Sequence, residues 1–71
     1  MKEQDISAFG VVTKVETDGF YRVVIDKTEH MVLARKAGKL KKFKIHISIN
    51  DRVELALSPY SVELGRIVRR L

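Results

Sequence analysis

The chain has 71 residues, 45% of them apolar and none of them cysteine, and its formal net charge is +5 at pH 7. This composition excludes disulfides and thiolate metal sites, and it argues against wholesale disorder. We expect residues 1–71 to form one small domain with a marginal core, because a chain of this length buries only about 60% of its unfolded surface.

The charge is unevenly distributed along the chain. Residues 1–35 contain five Lys/Arg and six Asp/Glu, a net −1, whereas residues 36–71 contain nine and three, a net +6. This asymmetry indicates a basic face directed at a polyanion, and RNA, DNA and an anionic membrane surface all fit it. No apolar run approaches the roughly 20 residues that span a bilayer. The polar start, with Glu3 and Asp5, is unlike a signal peptide, so we expect a cytoplasmic protein.

The first half of the chain predicts a three-stranded meander. Runs rich in β-branched residues place the strands at residues 9–15, 20–26 and 30–35. Between the first two, Asp18-Gly19 supplies the positive φ of a tight hairpin turn. In the second strand, alternation places Tyr21, Val23 and Ile25 on one face, opposite Phe20, Arg22 and Val24.

The second half begins with a break in the strand pattern. Residues 36–44 lack β-branched side chains and favour one or two helical turns or an ordered loop. Residues 45–49 alternate, Asn50 is suited to a positive φ in a turn, and residues 52–57 read as a strand with Val53, Leu55 and Leu57 on one face. We expect a loop at residues 58–65, which contain Pro59 and end in Gly65, and a last strand at 66–70.

This order of elements predicts an all-β fold, a five-stranded Greek-key OB-fold barrel with a short helical turn between strands three and four. An SH3-like barrel is the alternative, but it usually lacks a helical insertion at that point. Closure into a barrel would also protect the edges of so small a β-protein.

The helical insertion, KAGKLKKFK, is the most basic segment of the sequence. Five of its nine residues are lysines: Lys36, Lys39, Lys41, Lys42 and Lys44. One interpretation is a solvated loop that keeps the protein soluble. The alternative is a basic knob for a polyanion, in which Leu40 and Phe43, spaced i and i+3, anchor one helical face on the barrel.

Other cations and aromatic residues are candidates for the same partner. Arg66, Arg69 and Arg70 lie on the last strand, and Arg22 lies on the less apolar face of strand two. Phe20 shares that face and is a candidate for base stacking, whereas Tyr21 is in phase with the core. Tyr60, in a loop after Pro59, is interpreted as a cap on the barrel.

Catalysis is disfavoured by the residues that are missing. There is no cysteine nucleophile, no serine in an elbow motif and no glycine-rich phosphate loop. His30 and His46 lack a flanking ligand pattern and read as ordinary polar strand residues or RNA contacts rather than metal ligands. We therefore expect a binding protein, not an enzyme, without a cofactor or metal.

Several short motifs resemble those of bacterial translation initiation factor one. They cover residues 6–70 in the family's order: Tyr21-Arg22-Val23, the basic segment Ala37 to Lys42, Ile45, Asn50-Asp51-Arg52-Val53, Ser58-Pro59-Tyr60 and Gly65-Arg66-Ile67. The resemblance implies an OB-fold that binds the small ribosomal subunit at the aminoacyl-tRNA site, contacts rRNA of the decoding region and cooperates with initiation factors two and three. We expect a monomer with no membrane partner.

The resemblance places Lys39, Lys41 and Lys42 in the rRNA-contacting basic loop, with Arg66 on the adjacent strand. Together with the charge pattern, it defines the candidate rRNA-binding residues as Arg22, Lys36, Lys39, Lys41, Lys42, Lys44, His46, Arg66 and Arg69.

The sequence also departs from the family pattern. Lys44 and His46 replace a usual Tyr and Arg, Leu64 replaces a Lys, Asn50 replaces a turn Gly, and one extra residue lies near Lys27 to Glu29. These changes affect the expected rRNA contacts more than the fold, and they fit a divergent second copy. Three alternatives remain: a cold-shock-like binder of single-stranded RNA or DNA, a metal protein using the two histidines, and a protein-only adaptor.

Overall fold

Five strands and one short helix make up the computed structural model, which describes residues 6–71 apart from the side chain of Val62. Glu3 and Asp5 lie outside the described residues. The elements are β1 (Ile6–Val15), β2 (Phe20–Ile25), β3 (Met31–Lys36), α1 (Gly38–Lys42), β4 (Arg52–Ser58) and β5 (Ser61–Arg70). Within residues 6–71, no helix has the length and apolar character needed to cross a membrane.

The strands close into a barrel in the order β1-β2-β3-β5-β4. β3 and β5 pair in parallel, and every other neighbouring pair is antiparallel. The short helix follows β3 and precedes β4. This is the predicted five-stranded OB-fold with a helical turn after the third strand, and the prediction is confirmed.

Most of the core is formed by the inward faces of the strands, as the alternation predicted. Leu40 and Ile47 add to it from outside the strands. Val23 is fully buried and Tyr21 is 8% exposed, whereas Ile25 is half-buried against their cluster. The buried hydrophobic residues are Val12, Tyr21, Val23, Val32, Ala34, Leu40, Ile47, Val53, Leu55, Leu57 and Ile67. The core is therefore almost entirely aliphatic.

The predicted turn residues adopt left-handed backbone conformations. Asp18 has a φ of 62° and Gly19 a φ of 79° in the short 3-10 turn (Thr17–Gly19) between β1 and β2. Asn50 has a φ of 74° just before β4. Asn and Asp tolerate this region because their short side chains can hydrogen-bond locally, so both turn predictions are confirmed.

The predicted loop at residues 58–65 is wrong, because β5 begins at Ser61 rather than at Arg66. Only Pro59 and Tyr60 separate β4 from β5, and Ser58 already pairs with Ser61. Gly65 is not a loop terminus but a strand residue beneath Leu57, where an added Cβ would lie 2.6 Å from the leucine Cδ2 atom. Tyr60 is 79% exposed, so it does not cap the barrel.

Other boundaries also differ from the predicted ones. β1 begins at Ile6 instead of Phe9, because its first residues pair with β4 before the later ones pair with β2. Gly10 pairs with both neighbours, opposite Ile25 and Val53. Residues 45–49 alternate in sequence but belong to no strand, although Ile47 is buried.

An exposed ion pair joins the end of β2 to the start of β4. The Arg52 Nη2 atom donates to Asp26 Oδ2 at 2.6 Å, and this hydrogen bond, with the charge of Arg52, lowers the pKa of Asp26. A carboxyl whose pKa is lower in the folded state stabilises the fold above its unfolded pKa of about 3.9. That contribution is lost as the pH falls through the folded value.

We therefore expect acid to destabilise the wild type slightly more than the Asp26→Asn variant. The thermal midpoint should be measured for both between neutral pH and pH values below about 4. The gap between the two midpoints should narrow only in the acidic part of that range. A gap that does not change with pH would show that the pair contributes nothing through its charge.

Candidate nucleic-acid interface

The basic insertion is a single helical turn anchored by one side chain. α1 begins after Ala37, and Leu40 is buried at 5% exposure, whereas Lys39, Lys41 and Lys42 are exposed. The Ala37 amide donates to the Ile67 carbonyl at 2.9 Å and attaches the start of the insertion to β5. The predicted basic knob is therefore held on the barrel by a buried leucine and a backbone hydrogen bond.

The predicted anchoring role of Phe43 is wrong, because this side chain is 62% exposed. The helix ends at Lys42, and Lys44 adopts a φ of 56°, which redirects the chain. Ile45, the next apolar residue, packs against the core instead. The Phe43 ring instead lies under the Lys42 ammonium, 5.8 Å from its centroid.

Two cations fasten the segment that follows α1. The half-buried Lys36 donates its Nζ hydrogen to the Ile45 carbonyl at 2.7 Å, and Arg70 donates to the His46 carbonyl at 3.0 Å. The His46 side chain is exposed. Lys36 thus has a structural contact at the base of the insertion, unlike the lysines that follow it.

The cations of the insertion differ from those of the strands in their partners. Lys39, Lys41, Lys42 and Lys44 form no ion pair with any residue in the described range 6–71. Arg22 on β2, by contrast, is paired with Glu16, and Arg69 on β5 is paired with Glu54 at 2.9 Å. Four lysines without an ion pair in the described residues are therefore clustered on α1 and the residues just after it.

The insertion and the end of β5 share a groove. Its walls hold the cations Lys39, Arg69 and Arg70 and the apolar side chains Leu40, Phe43, Ile45 and Val68. The groove has a volume of about 320 Å³. Arg22 lies elsewhere, on the outer face of β2 beside Met31 and Leu33, so the structure does not bring all predicted contact residues together.

A role for Arg35 was not predicted from the sequence. Its guanidinium carbon lies 5.2 Å from the centroid of the Phe20 ring, on the outer face of the barrel. Phe20 and Arg35 are register partners in the β2–β3 pair, but they are 15 positions apart in the chain. The contact follows from the register between β2 and β3. The alternation of apolar residues within each strand does not specify that register.

Metal binding finds no support in the described residues. No group of three or more His, Asp or Glu side chains in residues 6–71 is arranged to hold a metal ion. The chemistry that the site offers is charge and apolar surface on a rigid barrel. The chain is therefore a small OB-fold protein, and its exposed lysines are typical of OB-folds that bind polyanions.

Comparison with known proteins identifies the family. The chain is 44% identical over 69 residues to translation initiation factor IF-1 of Rhodopseudomonas palustris (strain ATCC BAA-98 / CGA009), an alignment that covers 97% of this chain and 74% of that protein. It is 42% identical over 69 residues to translation initiation factor IF-1 of Rhodospirillum rubrum, covering 97% and 72%. The chain belongs to the translation initiation factor IF-1 family. No protein-family model matches it.

Solved structures agree with this assignment. The solution structure of translation initiation factor IF-1 from the Wolbachia endosymbiont of Brugia malayi superimposes with a TM-score of 0.81 at 35% identity, covering 97% of this chain and 80% of that one. YjeQ from Thermotoga maritima gives a TM-score of 0.75 at 24% identity and is matched over 23% of its length, which shows a shared fold alone. Membership of the family places the chain among translation initiation factors rather than enzymes.

Proposed function

We propose that this initiation factor binds the small ribosomal subunit as a monomer, through rRNA at the aminoacyl-tRNA site, and that it cooperates with initiation factors two and three. Residues 1–71 would act as one OB-fold domain. The observation that carries the proposal is the set of four lysines on and after α1, exposed and without ion pairs in the described residues. Such a cluster is suited to rRNA phosphates.

Binding, not chemistry, is the proposed mechanism. Lysine ammonium groups neutralise phosphates and release condensed counterions, so affinity should fall steeply as salt rises. Lys39, Lys41, Lys42 and Lys44 supply this charge from the insertion, and Arg66 supplies it from the neighbouring strand. Their attachment to a closed barrel limits the ordering entropy lost on binding.

The other candidate residues contribute in different ways. Arg22 already pairs with Glu16, and Arg69 with Glu54. A phosphate must therefore displace these carboxylates from the guanidinium groups or bind beside them. Lys36 acts mainly by holding the segment that leads to His46, since its ammonium group is bonded to the Ile45 carbonyl. In this proposal the insertion is the main contact and the strand arginines are secondary.

A general binder of single-stranded RNA or DNA is the second candidate. The exposed rings of Phe43 and Tyr60 favour it, because bases stack on such surfaces. Neither ring lies on β2 or β3, where a cold-shock-like protein presents several aromatic side chains and this chain has only the half-buried Phe20 outside the core. This distribution favours a protein that recognises a structured rRNA site.

Co-sedimentation with purified small ribosomal subunits over a salt series tests the proposal. We expect the protein to pellet with subunits at low salt and to be released as salt rises. The logarithm of the binding constant should fall by about 0.7–0.9 per phosphate contact for each tenfold rise in salt concentration. Polyuridylate should bind more weakly than the subunit, so an equimolar amount of it should not displace the protein. No pelleting at low salt would refute ribosome binding, and full displacement by polyuridylate would favour the general binder.

A further inference from the structure

We propose that Arg35, held over the ring of Phe20, forms a stacking shelf for one unpaired RNA base. The guanidinium carbon lies over the aromatic ring at 5.2 Å from its centroid. Arg35 is exposed and Phe20 is half-buried, so the arginine is the member of the pair that solvent reaches more freely. The sequence predicted Phe20 as a candidate for base stacking, but Arg35 is not among the predicted rRNA contacts.

The strand register places the shelf in a row of residues that crosses the barrel. Phe20 pairs with Arg35 across β2 and β3, and Arg35 pairs with Arg66 across β3 and β5. The row continues through Ala56 on β4 to Ser7 on β1. The shelf therefore lies in a row of paired residues that contains a second arginine, on the strand next to Arg35.

The contacts of Arg35 differ from those of three other arginines of the barrel. Arg22, Arg52 and Arg69 each pair with a carboxylate. The Arg35 side chain forms no ion pair within the described residues 6–71 and instead contacts the Phe20 ring. The ring fixes the guanidinium without using its hydrogen-bond donors, which remain available to a ligand.

An arginine held in this way suits a nucleobase better than a simple anion. A guanidinium is planar and stacks on base faces, while its edge can donate to a phosphate or base oxygen. A lysine in the same place would keep the charge but could not stack. The chemical class of the ligand is therefore a single-stranded nucleotide, bound by its base and its phosphate together.

The location links the shelf to the insertion. Lys36 follows Arg35 directly, and α1 begins two residues later at Gly38. A strand of RNA held by the α1 lysines can therefore place a neighbouring nucleotide on the shelf. Insofar as that RNA is rRNA, the inference rests on the proposed function.

The test measures binding of a short labelled oligouridylate and of an abasic ribose-phosphate oligomer of equal length. We expect the wild type to prefer the oligouridylate. Arg35→Lys should weaken oligouridylate binding by about fivefold or more, the lower end of base stacking, and leave abasic binding unchanged because the charge is kept. Phe20→Leu should act in the same direction. Arg52→Lys, which alters an arginine paired with Asp26 on the β1–β4 side, is the matched control.

The possible results separate the shelf from its alternatives. Equal losses for both oligomers in Arg35→Lys, no loss for either, or no base preference in the wild type would overturn the proposal. Thermal midpoints of each variant show whether a loss reflects unfolding. A base preference that depends on Arg35 without sedimentation on subunits would retain the shelf and refute the proposed function. Sedimentation with subunits but no base preference would refute the shelf and retain the proposed function.

Discussion

Reversing the charge of two lysines, Lys39→Glu/Lys41→Glu, is expected to abolish co-sedimentation with small ribosomal subunits. Both side chains are exposed on α1 and form no ion pair within the described residues. Each charge-assisted phosphate contact contributes about 1.5–3 kcal/mol, so losing two weakens binding by at least about 100-fold. The salt slope should also become shallower by about 1 for each lost contact.

The matched control is Lys14→Glu/Lys27→Glu, which changes the net charge equally at exposed positions on β1 and after β2. It should retain most of the binding, because these lysines lie off the insertion. Equal losses in both double variants would mean that net charge, not the insertion, drives binding. Urea unfolding of both should lie close to the wild type, since none of the four side chains is buried and the Lys14–Glu16 ion pair that the control removes is exposed.

Replacing Gly10 by alanine is expected to cause the largest loss of stability among single substitutions of glycine. A Cβ at this position would lie 2.5 Å from the Val24 carbonyl oxygen and 2.8 Å from the Val23 Cγ1 atom. The first of these is backbone of a paired strand, so β1 and β2 must move apart. Overpacking of this kind costs about 1–3 kcal/mol, a large part of the roughly 4–10 kcal/mol expected for so small a domain.

Gly38→Ala is the matched control for this prediction. Nothing lies within 4 Å of a Cβ built at Gly38, which is the first residue of α1. Alanine there should be neutral or stabilise by up to about 1 kcal/mol, because it restricts the unfolded chain. The free energies of unfolding in urea give both values. Equal stability of the two variants would contradict the close approach of β1 and β2 at Gly10.

The fold could be predicted where side-chain alternation and turn chemistry agree. Val53, Leu55 and Leu57 alternate cleanly and are all buried. Asp18-Gly19 marks a tight turn because few residue pairs accept successive positive φ angles. These signals are local, so they fix the number and order of strands without knowledge of the pairing.

The start of β5 could not be predicted because its cues point in opposite directions. Pro59 and Gly65 are both typical of loops, yet the proline sits in the turn and the glycine within the strand. Gly65 is accommodated there because Leu57 of β4 fills the space above it. That packing is a property of the β4–β5 register, which composition does not encode.

The candidate interface was predicted in its charge but not in its geometry. The lysine run identifies α1, and Leu40 anchors it as expected. The exposure of Phe43 depends on the left-handed conformation of Lys44, a residue type that rarely adopts it. The Arg35 contact with Phe20 depends on register. Neither the exposure of Phe43 nor the contact between Arg35 and Phe20 follows from the pattern of polar and apolar residues.

The position of β5 between β3 and β4 has a consequence for how the chain folds. Until β5 is in place, two strand edges stay open, one on each of its partners. Its parallel pairing with β3 joins segments distant in sequence, such as Leu33 and Leu64, and contacts of this kind slow folding. An intermediate lacking β5 can add a strand from another chain. The rate at which β5 pairs with β3 and β4 therefore determines whether the chain folds or exchanges a strand with another chain.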